Sequence, residues 1–583
     1  MDRTLAESKL AALLMYNPAT GLLRDPDDEL FRELGISREA FDAAKKAWES
    51  VRKTKPIGLP PGHQIGGERL NKELKQFIDG AKDPSDLLLA LYFYYQVVWE
   101  KHLYYQAVWN KQQEDKLDPL HASYAASSLA GSDSYYFVSF KISSVQDIIA
   151  NSRKTSDLWA SSFLVSLLSW GIMRYFIDRY GPSCVISPFI GVNPLYVYYA
   201  HKSIGNNSLR GRFDLEVKKL LGIDPSRDFP ESALLAGKGD LLIPDTEPDP
   251  EGAVISSYKS AWRDLYRALL LDNKQLFAEY EVISREILEA AQDYPPFPLI
   301  EVKVQKTSAE NPLGKADLQN EYKLWVDYGY GIAGAAHNFT SELYSRGSRY
   351  EFCTVCGTNV AAVRSKKDEA EKLCPYCAIK RGFRVFDAAK SALEKLGLKV
   401  PEAEADGKWP RRWPSTVTLA AADLIKKYSK LSNPSGKEVI ENLKEFESAA
   451  ESANKEVEEA IEAVEKEMHE KASMYFYILR GDTDRAKDLF GKAREEGIVK
   501  YIFVSRSFAV AALDALKIIT ENGGLPVYSG GDDIVALFPG GVSDNKKLPW
   551  PLLALSELIS RWRDTVGGRE SQIHIWGHKR QRH

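Results

Sequence analysis

Residues 525–540, LPVYSGGDDIVALFPG, place Ser-Gly-Gly-Asp-Asp between two apolar runs. Such a pattern reads as a β-hairpin whose tip carries Gly530, Gly531, Asp532 and Asp533. Two buried strands cannot stand alone, so the flanking sequence must supply further strands and covering helices. It does: MYFYILRGD reads as a strand, residues 485–495 as a helix, and residues 505–522 as a helix with Phe508, Leu513, Leu516 and Ile519 on one face. After the hairpin come a helix over 550–563 and a strand, QIHIWG. The order β-α-β-β-α-β is that of the ferredoxin-like split unit.

In that sheet the first strand lies beside the hairpin, so ILRGDTD delivers Asp482 and Asp484 close to Asp532 and Asp533. Clustered carboxylates repel one another unless a cation neutralises them. Hard oxygen ligands select Mg²⁺ or Mn²⁺, typically completed by substrate phosphates. Two such ions suit the activation of a hydroxyl and an in-line displacement on a triphosphate. Read alone, SGGDD is equally an ordinary turn; the second acidic strand end favours the metal.

An earlier stretch repeats the order. YYFVSFKIS (135–143) reads as a strand that runs into a long helical region, and CVISPFIGVNPLYVYYA reads as two short strands around a Val-Asn-Pro turn. Helices are expected over roughly 210–290, then a strand in FPLIEVKVQK. A second split unit is therefore expected over 135–300, its first strand ending in Lys141 and Ser143 without an acidic pair.

Between the two units, Cys353, Cys356, Cys374 and Cys377 follow C-x₂-C-x₁₇-C-x₂-C spacing. Two CxxC turns together complete a tetrahedral Zn²⁺ site, and four thiolates leave no open position, so the role is structural. Cys184 reads as a buried apolar residue. Residues 341–385 carry nine Lys and Arg against five Asp and Glu, a mild excess that reads as solvated surface before it reads as an RNA contact.

The 583 residues exceed one core. The expected fold is α+β: a helical N-terminal domain (1–130), a first split unit with a helical insertion (131–340), the Cys₄ module (341–400), a linker and helical segment (401–472), and the second split unit (473–583). A net charge of −4 excludes a polycation, so nucleic acid would be met through local patches or partner chains. LLLALYFYYQVVW (87–99) is too short for a membrane span. With no signal-peptide layout and cysteines in CxxC pairs, a cytoplasmic protein is expected.

SGGDD on a split-unit hairpin, KISSVQDIIANSRKTSDLWASSFLVSLLSW opening an earlier unit, and four cysteines between them resemble the large subunit of type III CRISPR effector complexes, the Cas-ten family in its Cmr (III-B) form. The resemblance covers roughly residues 130–583 and implies two palm domains like those of nucleotide cyclases and polymerases. It implies conversion of ATP into cyclic oligoadenylate when target RNA is bound, beside CRISPR RNA and other subunits of the complex. Asp532, Asp533 and Asp482 would then be the catalytic metal-binding carboxylates. The family often has Asp-Gly-Asp where this chain has Asp482-Thr483-Asp484. The first palm would hold a second ATP, with Ser143, Ser144 and Gln146 as candidate contacts, or equally as capping residues of the next helix. Arg153, Lys154 and Asp157 would touch phosphate or merely decorate that helix.

Family members commonly begin with a nuclease domain that needs a His-Asp pair. This chain has no such dipeptide: Met15 and Tyr16 stand at the expected place, and His63, His102 and His121 are isolated. No nuclease activity is expected from residues 1–130. The further helical domain that follows the second palm in the family would be lost, encoded separately or cut off here. The competing readings are an idle scaffold in the same complex and a stand-alone cyclase of the diguanylate type.

Overall fold

The computed structural model describes residues 1–17, 22–52, 67–102, 118–143, 145–229, 233–295, 300–314, 323–324, 351–402, 413–420, 422, 443, 475–483, 486–530, 533–540, 550–566 and 571–579. His63, Ser144, Asp484, Gly531, Asp532 and most of 401–472 lie outside them, as do the side chains of His102 and Gln146.

Helix α1 (Arg3–Leu14) begins where the Asp2 carboxylate accepts from the Leu5 amide. It packs on α2 (Pro119–Leu129), which is buried throughout and is started by Asp118 and a first-turn proline. Lys9 is carried into this contact. Its ammonium donates to the Ser127 carbonyl at 3.0 Å and the Ser183 hydroxyl at 3.3 Å, and burial pulls its pKa down to about 8.

The first sheet begins with β1 (Ser134–Ile142), followed across a break at 151–154 by α3 (Thr155–Tyr180). β2 (Val185–Ser187), α4 (Pro194–Ser203), β3 (Lys238–Pro244), α5 (Pro250–Tyr266) and β4 (Ile300–Ser308) complete it. The strands lie in the order β2-β3-β1-β4, with a two-residue strand at Lys323–Leu324 on the outer edge. The expected strand in PLYVYYA is instead α4. Asn193 accepts from the Leu195 amide and Pro194 opens the first turn, and these start signals outweigh the β-propensity of the aromatic residues. The true partner strand, KGDLLIP, lies inside the stretch expected to be helical. Residues 188–237 therefore separate the two hairpin strands of this unit. Helix α3 is long and apolar enough to cross a membrane by length and composition, with mean hydropathy 1.3, but 83% of that window is buried in the core.

Helix α6 (Pro375–Gly382) starts directly after Cys374. The second sheet is built from β5 (Tyr475–Thr483), α7 (Ala486–Glu496), α8 (Ile498–Glu521), β6 (Leu525–Gly530), β7 (Asp533–Phe538), α9 (Trp550–Val566) and β8 (Ser571–Lys579). Helix α8 starts seven residues before the expected 505, immediately after Gly497 at φ 106°. Its strand order, β6-β7-β5-β8, is the same split βαββαβ order as in the first sheet. One face carries Leu479, Ile534 and Phe538 against Phe508, Ala515 and Ile519 of α8 and Leu558 of α9. The other face carries Leu525, Val527 and Leu537, with Leu158 of α3 packed on it.

Candidate active site

Strands β5 and β7 pair antiparallel with Asp482 directly opposite Asp533, and Gly530 closes on Asp533 across the turn. Residues so opposed have Cβ atoms about 4.5–5.5 Å apart and project from the same face. Asp482 is exposed and Asp533 half-buried. Two like charges directly opposite weaken a sheet, and a hard divalent cation held between them reverses the sign of that contribution. Oxygen-only donors of this kind fit Mg²⁺ or Mn²⁺ rather than a soft metal.

Strand β6 is anchored on both sides just before the turn. The Ser529 hydroxyl donates to the Ala512 carbonyl of α8 at 2.9 Å, and its amide donates to the Ala233 carbonyl of the first unit at 3.1 Å. A Cβ added at Gly530 would lie 2.8 Å from the Tyr528 hydroxyl oxygen, so that ring would have to shift to admit a side chain. That hydroxyl donates to the Gly530 carbonyl at 3.0 Å.

The first unit has the same register with different residues. Lys141, next to last in β1, faces Lys238 at the start of β3 and Glu301 at the second position of β4. In the second unit the corresponding three are Asp482, Asp533 and Gln572. The Lys141 ammonium lies 3.4 Å from Glu301 Oε1, and the Ser143 hydroxyl donates to the same oxygen at 2.5 Å. Ser143 thus has a bonding partner within the sheet.

Asp157 neither faces solvent nor decorates its helix. It is 2% exposed and ion-paired at 3.1 Å with Arg381 of α6, which also meets Glu371 at 2.9 Å. Lys154 is the residue before α3 and, like Arg153, is exposed; partial desolvation, then the neighbouring Arg381 and Arg384, lower its pKa. Lys380 donates to the Asn151 carbonyl at 3.0 Å and Arg384 to the Ser156 hydroxyl at 2.9 Å. The cysteine segment therefore braces the break before α3, a contact that no local sequence signal announces.

The four cysteine sulfurs all lie within 4.8 Å of one another, and those of Cys356 and Cys374 are 3.8 Å apart. Tetrahedral Zn²⁺ with bonds of 2.3 Å sets sulfurs about 3.8 Å apart, so the cluster fits zinc. Cys184 is buried as expected, and burial pushes its thiol up to about 12. In the N-terminal helices Met15 and Tyr16 are buried, and His121 is 1% exposed. Its Nδ1 is hydrogen-bonded to Asp118 and its ring meets Phe503 of α8 edge-on, 5.1 Å between centroids. His121 is a core residue.

Two split sheets in one register, one with opposed aspartates at its hairpin, with a four-thiol cluster between them in the chain, define a two-unit α+β protein with one acidic centre. The family "CRISPR-associated protein Cmr2, N-terminal" matches residues 137–267. Curated relatives include the Cmr subunit Cmr2 of Pyrococcus furiosus, 23% identical over 464 residues (68% of this chain, 52% of that protein). Cmr2 of Saccharolobus solfataricus is 23% identical over 379 residues (50% of this chain, 36% of that protein). The chain spans about a third to a half of the length of these relatives. Among solved structures, the type III-B Cmr-beta complex in its apo state has a chain of TM-score 0.61 at 17% identity, with 91% of this chain and 77% of that one covered. Cmr-beta bound to cognate target RNA gives 0.59 at 15% identity, with 96% and 78% covered. The family match, the curated relatives and the solved neighbours all make this chain similar to Cmr2 subunits of type III-B Cmr complexes.

Proposed function

We propose that this chain is the large subunit of an RNA-guided type III-B complex, and that its second unit is a palm that joins ATP into cyclic oligoadenylate. The observation that carries the reading is the opposition of Asp482 and Asp533 at the hairpin end of a split sheet. With Asp484 and Asp532 they would hold Mg²⁺ or Mn²⁺. Such ions neutralise triphosphate charge and lower the pKa of a hydroxyl nucleophile. Gly530 and Gly531 keep the hairpin tip slim enough for a nucleotide to approach. The first unit takes a second ATP with Ser143, Ser144 and Gln146 among its contacts, and has no metal pair.

Cys353, Cys356, Cys374 and Cys377 hold a structural zinc. Target RNA, bound by the Cmr-beta relative, reaches this chain together with CRISPR RNA and the other subunits in the cytoplasm. Residues 1–130 cut no DNA: the positions expected to bind metal are Met15 and Tyr16, and His121 is committed to Asp118.

The test is mass spectrometry of products from the assembled complex given ATP, Mn²⁺ and cognate RNA, with an Asp532→Ala/Asp533→Ala control. Cyclic oligoadenylate from the unaltered complex alone supports the reading. No product from a complex that still binds its RNA overturns it in favour of an idle scaffold.

A further inference from the structure

The two units meet through a carboxylate that the metal reading does not use. Asp240 of β3 is largely withdrawn from solvent at the contact between them. Its Oδ1 accepts from the Ser139 hydroxyl of β1 at 2.5 Å, and its Oδ2 accepts from the Tyr501 hydroxyl in the first turn of α8 at 2.6 Å. Tyr501 is 7% exposed. Close by, Arg494 in the last turn of α7 donates to the Leu313 carbonyl and lays its guanidinium over the Phe137 ring, 4.7 Å from the centroid.

These contacts sit on the element that carries the acidic pair. Strand β5 ends at Thr483, one residue after Asp482, and α7 begins at Ala486. Helices α7 and α8 therefore extend the strand end directly, and Arg494 and Tyr501 tie both helices to the sheet face of the first unit. The arrangement is reciprocal. Leu158, in the first turn of α3, packs on the face of the second sheet that holds Leu525, Val527 and Leu537. Each sheet is met by the start of the other unit's long helix. The contact on the first sheet adds the Asp240–Tyr501 hydrogen bond to the apolar packing of Ile498, Val499 and Ile502, whereas Leu158 meets the second sheet through apolar packing.

We propose that Asp240 is a positioning residue: through Tyr501 it fixes α7 and α8, and hence the Asp482 strand end, against the first unit. The role rests on the metal-site reading above. A hydrogen bond to an ionised carboxylate contributes roughly 1.5–3 kcal/mol, which is about a ten- to hundred-fold change in the population of an opened state.

The experiment uses the full chain, with hydrogen exchange at 238–244 and the first turn of α8, and calorimetric Mn²⁺ titration referenced to Asp482→Asn. In Tyr501→Phe, protection at both segments is expected to fall roughly ten- to hundred-fold, and Mn²⁺ affinity roughly five-fold or more. Asp240→Asn is expected to restore both relative to Asp240→Ala, because its amide can accept from Tyr501 and donate to Ser139. Should Asp240→Ala fail to fold, Tyr501→Phe, which keeps the ring, carries the test alone. Unchanged protection overturns the lock. Lost protection with unchanged Mn²⁺ affinity overturns the positioning role. An unaltered chain that binds no Mn²⁺ at Asp482 sinks the metal reading and the positioning role together, and the exchange result then decides only whether the lock exists.

Discussion

The two split sheets share strand order, a nine-residue central strand and the register at its end, yet carry opposite charge there. One has Lys141 opposite Lys238, with Glu301 alongside; the other has Asp482 opposite Asp533, with Gln572 alongside. The backbone is common to both, and chemistry is assigned by a few side chains at one register position. The lysine pair has an internal counter-charge, since Lys141 meets Glu301 at 3.4 Å. The aspartate pair has Gln572, a neutral residue, in the corresponding place. On the reading proposed above, a cation would sit at the second sheet and not at the first.

The largest expected effect sets one pair against the other. Asp533→Ala should lower cyclic product by about 10³-fold, roughly 4 kcal/mol of barrier, whereas Lys141→Ala should change it by less than about three-fold. Equal losses in product from both variants, read by mass spectrometry, would erase the distinction between the sheets.

Next in size is the brace on the first unit. Asp157→Ala leaves Arg381 buried with Glu371 as its remaining partner and should lower stability by about 3 kcal/mol. Exchange should rise at the start of α3 and stay unchanged in the core of the second sheet. A uniform rise across both units would show that they unfold together.

A third test uses pH. The Lys9 pKa is lowered in the folded chain to about 8, so between about pH 8 and 10 the unfolded chain holds a proton that the folded chain has released. Stability therefore rises with pH through that window, by roughly 2 kcal/mol, and Lys9→Met should flatten the slope. Denaturant midpoints at the two ends of the window measure it. An unchanged slope would remove Lys9 as its source.

The smallest effect concerns Ser143. Its bond to Glu301 is partly exposed, so Ser143→Ala should cost about 1 kcal/mol or less of stability. A loss of product larger than that stability loss would show that the hydroxyl also contacts nucleotide.

Legibility followed sequence distance. The second unit was readable nearly element by element because its hairpin is local: both strands and the acidic turn lie within 525–539. The first unit was readable at β1, β2 and β4 but not at β3. Its hairpin strands are separated by residues 188–237, and an aromatic-rich segment that resembles a strand is a helix started by Asn193 and Pro194. The four cysteines were legible from spacing alone, because a pair of CxxC turns carries its ligand geometry locally. Asp157 was misread for the opposite reason: its partner, Arg381, lies more than 200 residues away and on another element.

The sequence by itself determined the alternation of strands and helices, the acidic hairpin and the thiol quartet, since these depend on periodicity, turn chemistry and ligand spacing within short windows. Only the tertiary structure decided that Lys141 faces Lys238 where Asp482 faces Asp533, and that Tyr501 reaches Asp240. Cross-strand and inter-unit pairings join residues far apart in the chain. They are chosen by which apolar faces bury together, and the polar partners are then fixed by register.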